Sequence, residues 1–229
     1  DLLSEWLSCL KIKVLFTVLF ILSFFLIIFN LRQDNHSDNK SSFVINLEDE
    51  VQIENIINRM SIEEKVGQTC QITLDAILTK DSTGKLIEPH HVDQSKLDKA
   101  LLTYKIGSIL NVSNHTFDLD MWHTVIEDIK NTSLLTNHKL PIIYGVDAIH
   151  GATYIQNSTL FPQEIGLAAT WDTSHARIMA EITAYETRAS GVTWNFSPVL
   201  DLGRQPIWSR FFETLGEDVY LARIMGKSI

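Results

Sequence analysis

Leu140-Pro-Ile-Ile-Tyr-Gly-Val146 is a continuous apolar run, followed at once by Asp147-Ala-Ile-His150-Gly151. An apolar run of this length, with no polar alternation, fits a strand covered on both faces, as in a parallel sheet flanked by helices. Upstream, residues 116–130 have helical spacing and residues 106–112 form another apolar strand. Residues 93–104 are amphipathic through Leu97, Ala100, Leu101 and Tyr104. Further upstream, residues 65–73 read as a short strand. Ser61 with Glu64 forms a capping-box pattern, and residues 48–60 place Val51, Ile53, Ile56, Ile57 and Met60 at helical spacing. Downstream, residues 174–190 form a helix with Ile178, Met179, Ile182 and Tyr185 inward and Gly191 placed to end it. Residues 192–200 read as a buried strand and residues 216–225 as a last helix.

Strands alternating with helices make βα units on a parallel sheet. About four such units fall between residues 62 and 229, and a closed barrel takes ~250 residues. The expected fold is therefore α/β, the first half of a TIM-like (β/α)8 barrel; a small open sheet is the alternative.

The remaining composition adds limits. The chain has 229 residues, 45% hydrophobic, with a net charge of −9. No basic stripe is present, which argues against a nucleic-acid partner. Residues 14–30 are almost purely apolar, flanked by Lys11, Lys13 and Arg32, and no small-x-small cleavage pattern follows Phe29. The expectation is an uncleaved signal anchor in a membrane, favoured over a cleaved signal peptide. The chain then divides into a flank at 1–13, the anchor at 14–30, a polar linker at 31–44 and a globular domain at 45–229. Glycosylation sequons at Asn35, Asn39, Asn111, Asn114, Asn131 and Asn157 all follow the apolar run, as does Asn195, expected to be buried and unmodified. The body is thus expected in the secretory pathway, lumenal or extracellular if anchored, secreted or lysosomal if cleaved. Cys9 and Cys70 lie on opposite sides of the run and are not expected to pair.

In α/β folds, polar residues just past the strand ends build the ligand site. Asp147 follows the third expected strand, and Arg204, in Asp201-Leu-Gly-Arg204-Gln-Pro206, follows the fourth. A carboxylate accepts from hydroxyls and a guanidinium donates in a fixed fork, a pair suited to a hydroxyl-rich ligand. Asp147 serves equally as a turn or cap residue, and Arg204 as a surface ion-pair partner. His150 reads as a supporting, hydrogen-bonding histidine. His90 and His91 sit in a polar loop and read as solvated, and Arg210 and Glu213 are spaced to pair. No metal motif, phosphate loop or serine-hydrolase elbow is present, so neither cofactor nor metal is expected.

Five ordered segments carry a resemblance. They are Arg59-Met-Ser-Ile-Glu-Glu-Lys-Val-Gly67-Gln, Gly145-Val-Asp-Ala-Ile-His-Gly151, Phe161-Pro-Gln-Glu-Ile-Gly-Leu-Ala-Ala169, Asn195-Phe-Ser-Pro-Val-Leu-Asp201, and Gly203-Arg-Gln-Pro-Ile-Trp-Ser-Arg210 with Glu213 and Gly216-Glu-Asp218. In this order they resemble glycoside hydrolase family 3, the β-glucosidase-like enzymes, whose first domain is a TIM-like barrel.

The resemblance implies a β-glucoside or oligosaccharide substrate, with Asp147 and Arg204 holding the non-reducing sugar ring. It also implies a retaining mechanism with two carboxylates about 5–5.5 Å apart. Gln205, Ile207 and Ser209 depart from the family's arginine motif, and Arg204 is kept. The nucleophile and acid/base lie later in the family, so neither is expected before Ile229. With Asp1 in place of an initiator methionine, this makes the chain an expected portion of a longer hydrolase, inactive alone. The alternatives are a membrane-anchored glycan-binding protein without chemistry, or an inactive truncated product.

Overall fold

The computed structural model describes residues 46–112 and 115–229. The apolar run at 14–30, Cys9 and the sequons at Asn35, Asn39 and Asn114 lie outside the described residues. Among the described residues no helix is long and apolar enough to cross a membrane.

The chain clusters into two units, residues 1–50 and 51–229, and the second carries the sheet. The described elements run α1 (Leu47–Arg59), α2 (Ile62–Gln68), β1 (Gln71–Thr73), α3 (Gln94–Asp98), β2 (Ser108–Leu110), α4 (Leu119–Ser133), β3 (Ile143–Val146), α5 (Glu164–Ala168), α6 (Thr173–Ala189), β4 (Trp194–Asn195) and α7 (Val219–Gly226). The four strands are all parallel and stand in the order β1-β2-β3-β4. That order never reverses, so the sheet has no switch point of the kind that doubly wound folds use for ligands. All four strand C-termini open on the same edge of the sheet.

Local chemistry starts each helix. Ser61 caps α2 through a capping box with Glu64, while Asp93, Asp118, Asp172 and Asp218 cap α3, α4, α6 and α7. Each cap oxygen accepts from an N–H that has no partner within the helix. One core packs α3 and α4 against β2 and β3 through Leu97, Leu101, Ile109, Trp122, Val125, Ile129 and Val146. The fully buried Trp122 meets Tyr144 edge-on at 5.5 Å and donates its indole N–H to the Tyr154 carbonyl at 2.9 Å, tying the loop after β3 to α4. A second cluster joins α5, α6 and α7 through Leu167, Met179, Leu215, Leu221 and Met225.

The strands expected at 106–112 and 140–146 are trimmed to Ser108–Leu110 and Ile143–Val146, and three further readings change. Residues 65–73 do not form one strand: the capping box carries a helix through Gln68, leaving only Gln71–Thr73 in the ladder. The expected strand at 192–200 is reduced to Trp194–Asn195, because Pro198 has no N–H to donate and the chain leaves β3 after the Phe196 N–H bonds the Val146 carbonyl at 3.0 Å. On α6 the buried stripe is Ala176, Met179, Thr183 and Thr187, while Ile178 and Tyr185 are exposed. The helix therefore presents small side chains inward, a face that apolar size alone does not reveal.

Candidate active site

The site is built where β2, β3 and β4 end. Asn111 follows β2 with φ of 43°, a left-handed backbone that asparagine tolerates better than most residues. Its main-chain N–H donates to the Gly145 carbonyl at 2.9 Å, and its own carbonyl accepts from the Tyr144 hydroxyl at 2.9 Å. So held, its amide faces Asp147. Nδ2 donates to Asp147 Oδ2 at 2.6 Å, and Oδ1 accepts from the Asp147 N–H at 3.0 Å.

Asn195, ending β4, does the same to the next residue from the other side. Its Oδ1 accepts from the Ala148 N–H at 3.0 Å and its Nδ2 donates to the Ala148 carbonyl at 3.1 Å. Two asparagines, at the ends of the two strands that flank β3, thus fix the turn at 147–148 from both sides. Asp147 is half-buried, and its Oδ1 carries no hydrogen bond among the described residues. One oxygen orients the group and the other is left to accept from a ligand.

The Asn111 amide nitrogen, where a sequon glycan would attach, donates to Asp147. Asn131 and Asn157 are exposed, and Asn195 is half-buried with both side-chain polar atoms bonded. Asn111 obeys the rule that picked out Asp147, a polar residue just past an apolar strand; its sequon drew attention to a different chemistry.

His150 holds the loop after β3. Its Nδ1 lies 3.0 Å from the Phe161 carbonyl and its Nε2 lies 3.0 Å from Gln163 Nε2. Since the Phe161 oxygen can only accept, Nδ1 carries the proton and Nε2 accepts from the Gln163 amide. Gly151, with φ of 112°, brings this loop so close to the Thr159 carbonyl that a Cβ would lie 2.2 Å from that oxygen.

Past β4, Arg204 is exposed and makes no ion pair among the described residues. Arg210 and Glu213 do pair, with Arg210 Nε 2.9 and 2.8 Å from the two Glu213 oxygens. That pairing holds the guanidinium above its ordinary pKa, with smaller contributions from the charges of Asp147 and Asp201. Tyr154 is raised by burial first and then by Asp147 and Glu213. These mutual fields place Asp147, Tyr154, Arg210 and Glu213 in one electrostatic neighbourhood. Beside it, Thr73, Asn111, Val112, His115, Thr116, Thr153 and Tyr154 line an open hollow of about 600 Å³.

Glu164, at the start of α5, is fully buried. Burial pushes its carboxyl up to about 7, with the Glu213 charge adding to the rise, while the Val199 N–H at 3.3 Å and Ser197 pull the other way. No sequence pattern singled it out, since a glutamate in a short helix reads as solvated.

A fixed carboxylate acceptor beside an open polar hollow suits neutral, hydroxyl-rich matter, while no contact among the described residues joins Arg204 to Asp147. Comparisons with known proteins fit that chemistry. Residues 61–229 match the glycosyl hydrolase family 3 N-terminal domain. A lysosomal beta glucosidase of Dictyostelium discoideum is 38% identical over 183 residues, covering 76% of this chain and 21% of that protein. A periplasmic beta-glucosidase of Salmonella typhimurium is 26% identical, over 77% of this chain and 20% of its own length. Among solved structures, an exo-1,3/1,4-beta-glucanase from a Pseudoalteromonas species superposes with a TM-score of 0.65 at 27% identity, covering 80% of this chain and 28% of that one. The beta-glucosidase of Listeria innocua in complex with glucose superposes at 0.58, with 27% identity, over 78% of this chain and 23% of its own. The chain thus spans about a fifth of the length of these curated relatives.

Proposed function

The chain belongs to glycosyl hydrolase family 3 through that family's N-terminal domain, and from this premise we propose that the protein hydrolyses terminal β-D-glucosyl residues from the non-reducing end of glucosides or oligosaccharides. The observation that carries the reading is the clamp on Asp147. One carboxylate oxygen is bonded by Asn111, and the other is left for sugar hydroxyls. In this reading Asp147 accepts from hydroxyls of the terminal ring, and Arg204 donates to the same ring from the segment past β4. Charge-assisted bonds of this kind strengthen as the ring distorts, which is how they lower a barrier as well as bind.

The reaction is read as retaining. One carboxylate attacks the anomeric carbon, and a second protonates the leaving oxygen and then activates water. We place both beyond Ile229 and assign neither role within this chain. His150, Arg210 and Glu213 are supporting groups: His150 orders the loop after β3, and the Arg210–Glu213 pair neutralises a charge beside Asp147. We read the four parallel strands as half of a (β/α)8 barrel, a reading supported by their unreversed order. We also place the protein in the secretory pathway, with residues 14–30 as its membrane anchor or signal and Asn131 and Asn157 as exposed glycan acceptors.

The test is an aryl β-glucoside given to the full-length protein, with the first-formed sugar identified by proton NMR. Release of β-glucose before mutarotation is expected. Release of α-glucose contradicts the retaining step, and no hydrolysis contradicts the enzyme reading in favour of glycan binding alone.

A further inference from the structure

Outside the Asp147 cluster, Glu88, His90 and His115 bring one potential ligand atom each to within 4.8 Å of one another. His90 Nδ1 lies 3.1 Å from the Ile87 carbonyl, so the ring proton sits there and Nε2 presents its lone pair. That Nε2 is 3.2 Å from His115 Nδ1. Two imidazole nitrogens bound tetrahedrally at ~2.0–2.1 Å from zinc stand about 3.3 Å apart, the separation found here. The rings meet edge to face, with centroids 4.4 Å apart and planes at 68°, so they converge through their nitrogens rather than stack. A backbone carbonyl behind a ligating imidazole is the arrangement that fixes a metal-binding tautomer.

Both histidines are half-buried, and the Phe117 ring lies 5.4 Å from His90, walling the site from one side. Glu88 is exposed, and its free side chain is able to swing in as the anionic third ligand. Two imidazoles and one carboxylate favour a borderline cation such as zinc over the hard cations calcium and magnesium, which take oxygen ligands.

We propose that Glu88, His90 and His115 form a zinc-binding site whose fourth position is filled by water. The metal would join the loop before α3 to the segment after β2, at the rim of the hollow that His115 helps line. This replaces both the solvated reading of His90 and the expectation of no metal. A plain hydrogen bond, with His115 Nδ1–H donating to His90 Nε2, is the competing account of the same geometry.

The two accounts separate by titrating metal-stripped full-length protein with Co²⁺, a coloured stand-in for zinc, and then with Zn²⁺. The expected result is one Co²⁺ per chain with the intense visible bands of a four-coordinate site, displaced by Zn²⁺, and a melting temperature that rises with Zn²⁺. His90→Gln and His115→Gln should each weaken binding at least tenfold. Glu88→Gln, at an exposed position where folding is not at stake, should weaken binding while leaving the metal-free melting temperature unchanged. His123→Gln, on the exposed face of α4, should bind as wild type does. Absence of the four-coordinate bands, or equal affinity in wild type and the His90, His115 and Glu88 variants, would overturn the proposal.

Discussion

At the scale of single residues, Asp147 depends on Asn111 for its aim. Asn111→Ala removes the amide that bonds both the carboxylate and the N–H of Asp147. Leaving those groups unpartnered costs about 1–2 kcal/mol of stability. A carboxylate free to rotate should also lower kcat/KM for a β-glucoside by roughly 10–100-fold. Chemical denaturation and steady-state kinetics check the two effects, and wild-type kinetics in this variant would show that Asp147 needs no clamp.

Glu164 makes a prediction about pH. Its folded-state pKa of about 7 lies above the ordinary value of 4.5. The folded chain therefore keeps the proton while the unfolded chain loses it. Stability from this group is fully present below the ordinary value, and falls as pH rises through 4.5 to about 7. Glu164→Gln should gain stability relative to wild type at pH 8 and lose that advantage at pH 4, as read by urea denaturation at both values. An equal difference at the two values would contradict the assignment. Asp147 and Arg204 were picked out from the sequence because each follows an apolar run. Glu164 was not, since its burial is created by contacts with residues 197–199, far along the chain.

At the scale of elements, helix starts were written locally and strand ends were not. The capping box at Ser61 was readable from four residues, and its Glu64 also reaches Asn137 at 2.8 Å and His138 at 3.2 Å. The Ser61 N–H, then Asn137 and His138, hold the Glu64 carboxyl down to about 2. Its contribution is complete above the ordinary carboxylate value and is lost as pH falls towards about 2. Glu64→Gln should therefore destabilise the protein at pH 7 and matter progressively less on acidification, which acid titration of the melting temperature checks.

Strand lengths depended on partners. β3 was read to its C-terminal residue, but the apolar run at 140–146 enters the ladder only at Ile143, itself exposed. β4 was overextended because the sequence does not show where its neighbour stops. Gly145 lies at that junction, where a Cβ would stand 2.4 Å from the Phe196 ring and 3.1 Å from Trp194. Gly145→Ala should cost about 1–3 kcal/mol by forcing that aromatic pair aside. A variant as stable as wild type would show that the pair moves freely.

At the scale of the molecule, β1 and β4 each pair along one edge only among the described residues. Large apolar side chains including Trp194, Leu200, Ile207 and Tyr220 are exposed. Unpaired parallel edges and apolar faces of this kind normally require cover. Residues 44–229 expressed alone should accordingly aggregate or lack cooperative unfolding; a soluble fragment with a single sharp transition would contradict that. The α/β periodicity, the parallel sheet and the family all followed from the sequence, since ordered motifs and buried strands are local signals. The two-sided asparagine clamp and the histidine pair join residues 36 to 47 and 25 positions apart, and no local pattern encodes them.

The central claim is that Asp147 holds the sugar. Its most direct test compares kcat/KM for an aryl β-glucoside in the full-length protein, wild type against Asp147→Ala, with the exposed helix variant Asp120→Ala as control. Loss of a charge-assisted contact made to the transition state predicts a fall of roughly a hundredfold or more for Asp147→Ala, with a stability loss of only about 1 kcal/mol from the unpartnered Asn111 amide and a control within about twofold of wild type. Hydrolysis by Asp147→Ala at the wild-type rate would contradict the account.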